Sequence, residues 1–168
     1  MNASAVLQAL WRLADRLPVS EAAIRKGLSE VSLPGRYQYF PGPVPVLLDV
    51  AHNPQSVRAL AAHLRRHFPD CRVRAVFSVM RDKDVEAMVD TLREVIGCWY
   101  LAPLQMTRAA SPDELQEILH NVGIKDVISG FCSAKTACDA ARADAQPGDL
   151  VLVFGSFFLV SEFLAQKD

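Results

Sequence analysis

From residue 46 onward the chain repeats one pattern: a short apolar run, a polar break, then an apolar stripe at helical spacing. The runs fall at 46–49, 72–79, 98–102, 126–129 and 150–154. The stripes predict helices over 54–68, from about Lys83, and over 112–122, 134–145 and 156–164. Strands that are apolar on both faces are covered on both faces. Strand–helix alternation with short connections makes successive strands parallel. Five such units predict a mostly parallel sheet between two layers of helices. The inward stripes are Val57, Leu60, Ala61, Leu64 and Phe68, then Val85, Met88, Val89 and Leu92. Leu115, Ile118, Leu119 and Val122 follow, then the small-residue face Ala134, Ala137, Cys138 and Ala141. The alternating segment 36–40 lies between Leu33-Pro-Gly and the turn Pro41-Gly-Pro43. It predicts a sixth strand, antiparallel and at an edge.

Two helices are expected ahead of this domain, over 2–16 and 21–28, the second capped by Ser20. The boundary is placed near 30–35, so that 1–30 form an appended helical pair or the tail of a preceding domain, and 31–168 the main domain. A chain of 168 residues with 51% hydrophobic and 22% charged residues buries a proper core and is not disordered. A net charge of −1 argues against a nucleic-acid partner. No apolar run approaches the roughly 20 residues of a membrane span, so no membrane partner is expected. Cys71, Cys98, Cys132 and Cys138 lack metal-ligand spacing and read as reduced, core or near-core thiols of a cytoplasmic protein.

Chemistry concentrates in Val46-Leu-Leu-Asp-Val-Ala-His-Asn-Pro54. The apolar run delivers Asp49 to a strand's C-terminal edge, and Asn53-Pro54 has the form of an N-cap followed by the first helical residue. In open α/β sheets that edge is where ligands bind. It puts Asp49 and His52 beside a partly positive helix end. The dull alternatives are that Asp49 bonds its own turn and that His52 bonds backbone. Gly155-Ser156 repeats the arrangement after the last strand. Free N–H groups there suit an anion, and the competing role for Ser156 is an ordinary cap. Arg81-Asp-Lys-Asp84 follows the second strand of the repeat. Its plain reading is that Asp82 caps the helix while the charges are solvated, and Lys83 is carried as a site candidate.

These motifs, Pro34-Gly-Arg36, Asp49-Val-Ala-His-Asn-Pro54 and the strand ending in Gly155-Ser156, together resemble the C-terminal domain of folylpolyglutamate synthase and dihydrofolate synthase, in the Mur ligase superfamily. The resemblance implies a Rossmann-like three-layer α/β domain with a six-stranded, mostly parallel sheet. It implies that Asp49 meets the ribose hydroxyls of ATP, that His52 lies against the nucleotide, and that Arg36 reaches the phosphates, where it is the one candidate for a catalytic role. Gly155, Ser156 and Lys83 are then substrate-side residues, with Ser156 at the glutamate carboxylate. Asn2 resembles an Asn that faces adenine from the last helix of the family's central domain. In that family ATP phosphorylates a folate carboxylate, and the amine of glutamate attacks the acyl phosphate; dihydropteroate accepts the first glutamate. The expected cofactors are ATP and Mg²⁺, and the expected partners are folate or dihydropteroate, glutamate and an N-terminal ATPase domain. That domain, with the P-loop and the Mg²⁺ ligands, is expected outside this chain, which is expected to be inactive alone. The alternatives are the C-terminal domain of a peptidoglycan Mur ligase and a non-catalytic ligand-binding module.

Three patterns lead nowhere. Gly130-Phe-Cys-Ser-Ala-Lys-Thr136 has one residue too few between Gly and Lys for a P-loop and lacks its second Gly. His63 and His67 share zinc-ligand spacing, but Arg65 and Arg66 flank them and no Glu follows His63, which reads as a solvated basic face. His120 sits where a helix end favours a cation. There is no Ser-His-Asp arrangement and no argument for a nucleophilic cysteine.

Overall fold

The computed structural model describes residues 2–165, the side chain of Asn2 excepted. These residues form two compact units that divide between Pro34 and Gly35.

The first unit holds α1 (Asn2–Arg12) and α2 (Glu21–Glu30). Ser20 caps α2 through the Ala23 N–H at 3.2 Å. Helix α1 is shorter than the apolar spacing predicts; residues 13–16 continue as turns, with 3.1–3.2 Å bonds from Leu13 N–H to the carbonyls of Ala9 and Leu10.

The second unit is a three-layer α/β domain. Its elements are β1 (Gln38–Phe40), β2 (Val46–Asp49), α3 (Pro54–His67), β3 (Val73–Phe77), α4 (Val85–Leu92), β4 (Ile96–Leu101), α5 (Pro112–Asn121), β5 (Val127–Ile128), α6 (Ala134–Ala143), β6 (Leu150–Phe154) and α7 (Phe157–Leu164). The sheet order is β1-β2-β6-β3-β4-β5. Every neighbouring pair is parallel except β1 with β2, so the antiparallel strand is at the edge where the sequence puts it.

Strand alternation sends side chains into two cores. Leu47, Ala75, Phe77, Trp99, Leu152 and Phe154 meet the stripes of α3, α4 and α5. Val46, Leu48, Val76, Tyr100, Val151 and Val153 meet α6 and α7 on the opposite face. The stripes of α4 and α6 are buried at all four predicted positions. On α5 only Leu115 and Leu119 are fully buried, with Ile118 and Val122 packed at the margin.

Strand β6 inserts between β2 and β3, although it comes last in the chain. Its entry carries a buried ion pair: Arg74 Nε donates to Asp149 Oδ2 at 2.7 Å, and Arg74 Nη1 donates to Tyr100 Oη at 3.0 Å. Tyr100 in turn donates to Asp144 at 2.8 Å. Burial pushes the Asp149 carboxyl up, but the Arg74 and Gln146 hydrogen bonds and the Arg74 and Arg72 charges outweigh it and hold it below the usual range. Burial, and donation to Asp144, push the Tyr100 phenol outside its ordinary range, upward.

Three local expectations change. Helix α4 starts at Val85 and is capped by Asp84, which accepts the Ala87 N–H at 3.1 Å. Asp82 therefore does not cap it. The 72–79 run leaves the sheet after Phe77, because Val79 and Met80 pair instead with the 109–110 segment. Cys132 is exposed, unlike the buried Cys98 and Cys138, because it precedes the Ser133 cap of α6 and not its inward stripe.

Candidate functional site

Strands β2 and β6 are parallel neighbours, with Asp49 opposite Phe154. The residues that follow them, 50–53 and 155–156, therefore emerge side by side at one edge of the sheet. The hairpin from β1 brings residues 35–37 to the same place, since Gln38 pairs with Leu48.

Asp49 is 3% exposed. Its Oδ1 accepts the Ala51 N–H at 2.8 Å, and its Oδ2 accepts the Tyr37 N–H at 3.1 Å. The turn-bonding role is thus present, and each oxygen keeps a further lone pair. Burial raises its carboxyl pKa; the two N–H donors and the charges of Arg36 and His52 oppose the shift without cancelling it. His52 is half-buried, with Nδ1 at 2.7 Å from the Val50 carbonyl. A carbonyl only accepts, so Nδ1 carries a proton and Nε2 is the ring nitrogen not engaged by the backbone. The helix behind them starts as its residues predict. Asn53 caps α3, and Ser56 completes a capping box.

Arg36 is exposed, and its loop is tightly held. Gly35 donates to Gln38 Oε1 at 2.8 Å and accepts the Val50 N–H at 2.8 Å. Gly35 has φ 69°, and a Cβ there would lie 2.9 Å from Val160 Cγ1 and from Val50 Cγ1. Only glycine lets the loop lie this close to α7. Tyr37 has φ 44°, a left-handed conformation that costs a non-glycine residue about 1–3 kcal/mol. Its bond to Asp49 offsets that cost, as does the stacking of its ring on His63, 4.3 Å between centroids. His63 is therefore half-buried under Tyr37, and not on a solvated face as its neighbours suggest. Burial lowers its pKa, helped by the nearby His67.

Gly155 turns the chain from β6 into α7 at φ 108°. Ser156 is 4% exposed and caps α7, its Oγ accepting the Phe158 N–H at 3.1 Å. A hydroxyl that caps in this way still has its O–H to donate. Phe157 opens the helix. The Arg36 guanidinium carbon lies 5.5 Å from the centroid of its ring, and the His52 ring is 5.8 Å away.

Five predicted residues, Arg36, Asp49, His52, Gly155 and Ser156, thus share one sheet edge. Lys83 follows β3 and is paired with Asp82 at 2.9 Å, and no described contact joins it to the other five. Asn2 opens α1, but its side chain lies outside the described residues. Sequence reasoning missed Phe157 and the backbone N–H of Tyr37. A signal for Phe157 existed: Phe157 and Phe158 are adjacent at a helix start, and neighbours on a helix do not face the same core. Both are about half exposed, at 53% and 50%. Nothing local marks the Tyr37 N–H, which depends on strand pairing.

The class defined by this fold and edge is an open α/β domain with a carboxylate, a cation and a helix N-terminus gathered at the C-terminal ends of adjacent parallel strands. The chain belongs to the Mur ligase family: its glutamate ligase domain matches residues 35–157. Over 167 residues the chain is 39% identical to the dihydrofolate synthase/folylpolyglutamate synthase of Escherichia coli K12, covering 99% of this chain and 38% of that protein. The structure of E. coli FolC in complex with DHPP and ADP superposes with a TM-score of 0.86 at 38% identity, over 99% of this chain and 38% of that one. A bifunctional folylpolyglutamate synthase/dihydrofolate synthase with Mn, AMPPNP and L-glutamate bound superposes at 0.81 and 38% identity, over 90% of this chain and 36% of that one. The chain thus spans somewhat over a third of the length of these relatives. No helix among the described residues is long and apolar enough to cross a membrane.

Proposed function

We propose that this chain is the C-terminal domain of an ATP-dependent carboxylate–amine ligase that adds glutamate to folate or dihydropteroate through an acyl phosphate. The observation that carries the reading is the convergence of Asp49, His52 and Arg36 with Gly155-Ser156 at the ends of β2 and β6. The donor set fits a nucleotide. An ionised Asp49 has lone pairs for ribose hydroxyls, and the Arg36 guanidinium presents N–H groups to phosphate oxygens. The Ser156 hydroxyl and the first N–H groups of α7 suit the glutamate carboxylate. Its amine is then held near an acyl group activated beside Arg36, a proximity effect.

Bound ATP supplies the phosphoryl group that makes the folate carboxylate electrophilic. Mg²⁺ belongs with ligands in an N-terminal ATPase domain, the partner of which residues 1–30 are the helical tail. Lys83 would meet substrate at the rim once released from Asp82. The setting is the cytoplasm, consistent with four unpaired cysteines.

Two measurements test this. The purified chain should release no ADP on addition of ATP, folate and glutamate, and sustained glutamate-dependent release would refute the division of labour. In the complete ligase, Ser156→Ala should raise the KM for glutamate severalfold, leave the KM for ATP unchanged and cost about 1 kcal/mol of stability through the lost cap. A loss of stability with normal glutamate kinetics would leave Ser156 as a cap alone.

A further inference from the structure

We propose that Phe157 is a positioning residue whose ring holds the Arg36 guanidinium and the His52 imidazole in the orientation in which they meet the nucleotide. The inference rests on the nucleotide role proposed for those two side chains.

Phe157 is the first residue of α7, and the helix behind it is anchored. Leu159, Val160 and Phe163 are buried, and Ser156 caps the start. The backbone that carries the ring is therefore fixed, while the ring itself is 53% exposed. Two polar side chains from different elements converge on it. Arg36 arrives from the loop before β1, at 5.5 Å from the guanidinium carbon to the ring centroid. His52 arrives from the loop after β2, at 5.8 Å between ring centroids with planes tilted by 53°.

The same helix face seats the Arg36 loop. Phe157 and Val160 are three residues apart, hence neighbours on one face. Val160 packs so closely against Gly35 that a Cβ there would lie 2.9 Å from it. The backbone that carries Arg36 and the guanidinium it delivers therefore rest on one turn of α7.

The mode of attachment matters. A carboxylate partner would occupy the N–H groups of Arg36, and no ion pair to it is found among the described residues. An aromatic ring holds a guanidinium by the charge at its face. The five N–H donors stay available in the guanidinium plane, where a phosphate must meet them. His52 is held similarly, with Nδ1 fixed on the Val50 carbonyl and the ring against Phe157, so that only Nε2 is left to bind.

The test has one arm on the chain and one on the complete ligase. In the chain, the His52 ring protons should show a ring-current shift by NMR that disappears in Phe157→Leu and returns in Phe157→Tyr. In the ligase, Phe157→Leu should raise the KM for ATP by about three- to thirtyfold, the range expected for a cation held on an aromatic face. Phe157→Tyr should restore it. Because Phe157 acts partly through Arg36 and partly through His52, Phe157→Leu should have a smaller effect in an Arg36→Ala background than in wild type. Equal effects of Phe157→Leu with and without Arg36, or no rescue by Tyr, would overturn the proposal. Asp49→Asn separates it from the reading on which it rests. If Asp49→Asn raises the KM for ATP and Phe157→Leu does not, only the Phe157 role fails. If neither does, the nucleotide site itself lies elsewhere.

Discussion

Gly155→Ala should be among the most destabilising single-methyl additions in this chain. Two costs combine at that position. The backbone is at φ 108°, which an L-residue adopts at a cost of about 1–3 kcal/mol. The added Cβ would also lie 2.4 Å from the Ser78 carbonyl oxygen and 2.7–2.8 Å from the Phe77 ring. Neither neighbour yields easily. Ser78 presents backbone, and Phe77 is fully buried against Trp99 and Phe154. Forcing an atom into such a core costs about 1–3 kcal/mol more. The sum, about 2–6 kcal/mol, is a large share of the ordinary stability of a domain. At about 2–4 °C per kcal/mol for this size it lowers the melting temperature by roughly 5–20 °C. The control is Gly123→Ala. Gly123 also has positive φ, 84°, but a Cβ there meets nothing within 4 Å, so only backbone strain is added. Thermal and urea unfolding of both variants isolates the packing cost. If the two melt within roughly 2 °C of each other, the close approach of β3 to the β6–α7 turn is not what requires glycine.

Other expectations concern charge. Asp149→Asn leaves Arg74 buried without its counter-charge and should cost about 3 kcal/mol at neutral pH by urea unfolding. Because the Asp149 carboxyl is depressed on folding, its stabilisation is complete above the ordinary aspartate value and disappears as pH falls through the folded value. The gap between wild type and variant should therefore close in acid, and a pH-independent gap would contradict this. Asp49 has the opposite sign. Its raised carboxyl favours folding below the ordinary aspartate value, and that contribution is lost as pH rises through the folded value. Carboxyl-carbon NMR should find Asp49 titrating above about 3.9, and a value at or below that would show that the Tyr37 and Ala51 donors outweigh burial.

The sequence by itself determined the layers, the parallel sheet and most helix starts. Those depend on information within a few residues. Runs such as Val46-Leu-Leu48 have no polar face to expose, the stripes of α4 and α6 repeat at helical spacing, and Asn53, Ser111, Ser133 and Ser156 each accept an N–H from the turn that follows. It also placed Asp49 and Gly155-Ser156 at strand ends, since these two apolar runs stop where β2 and β6 do. Where two caps competed, local signals were ambiguous, since Asp82 and Asp84 are chemically alike: in the fold Asp84 accepts the Ala87 N–H, while Asp82 pairs with its neighbour Lys83 and with Arg108. Only the tertiary structure decided that β6 inserts beside β2, because strand order depends on which faces must be covered by which helices, a property of the whole sheet. That insertion puts Ser156 next to Asp49 and turns two separate motifs into one edge. It also brings Phe157 under Arg36 and His52, a contact between residues more than a hundred positions apart that no spacing in the chain encodes.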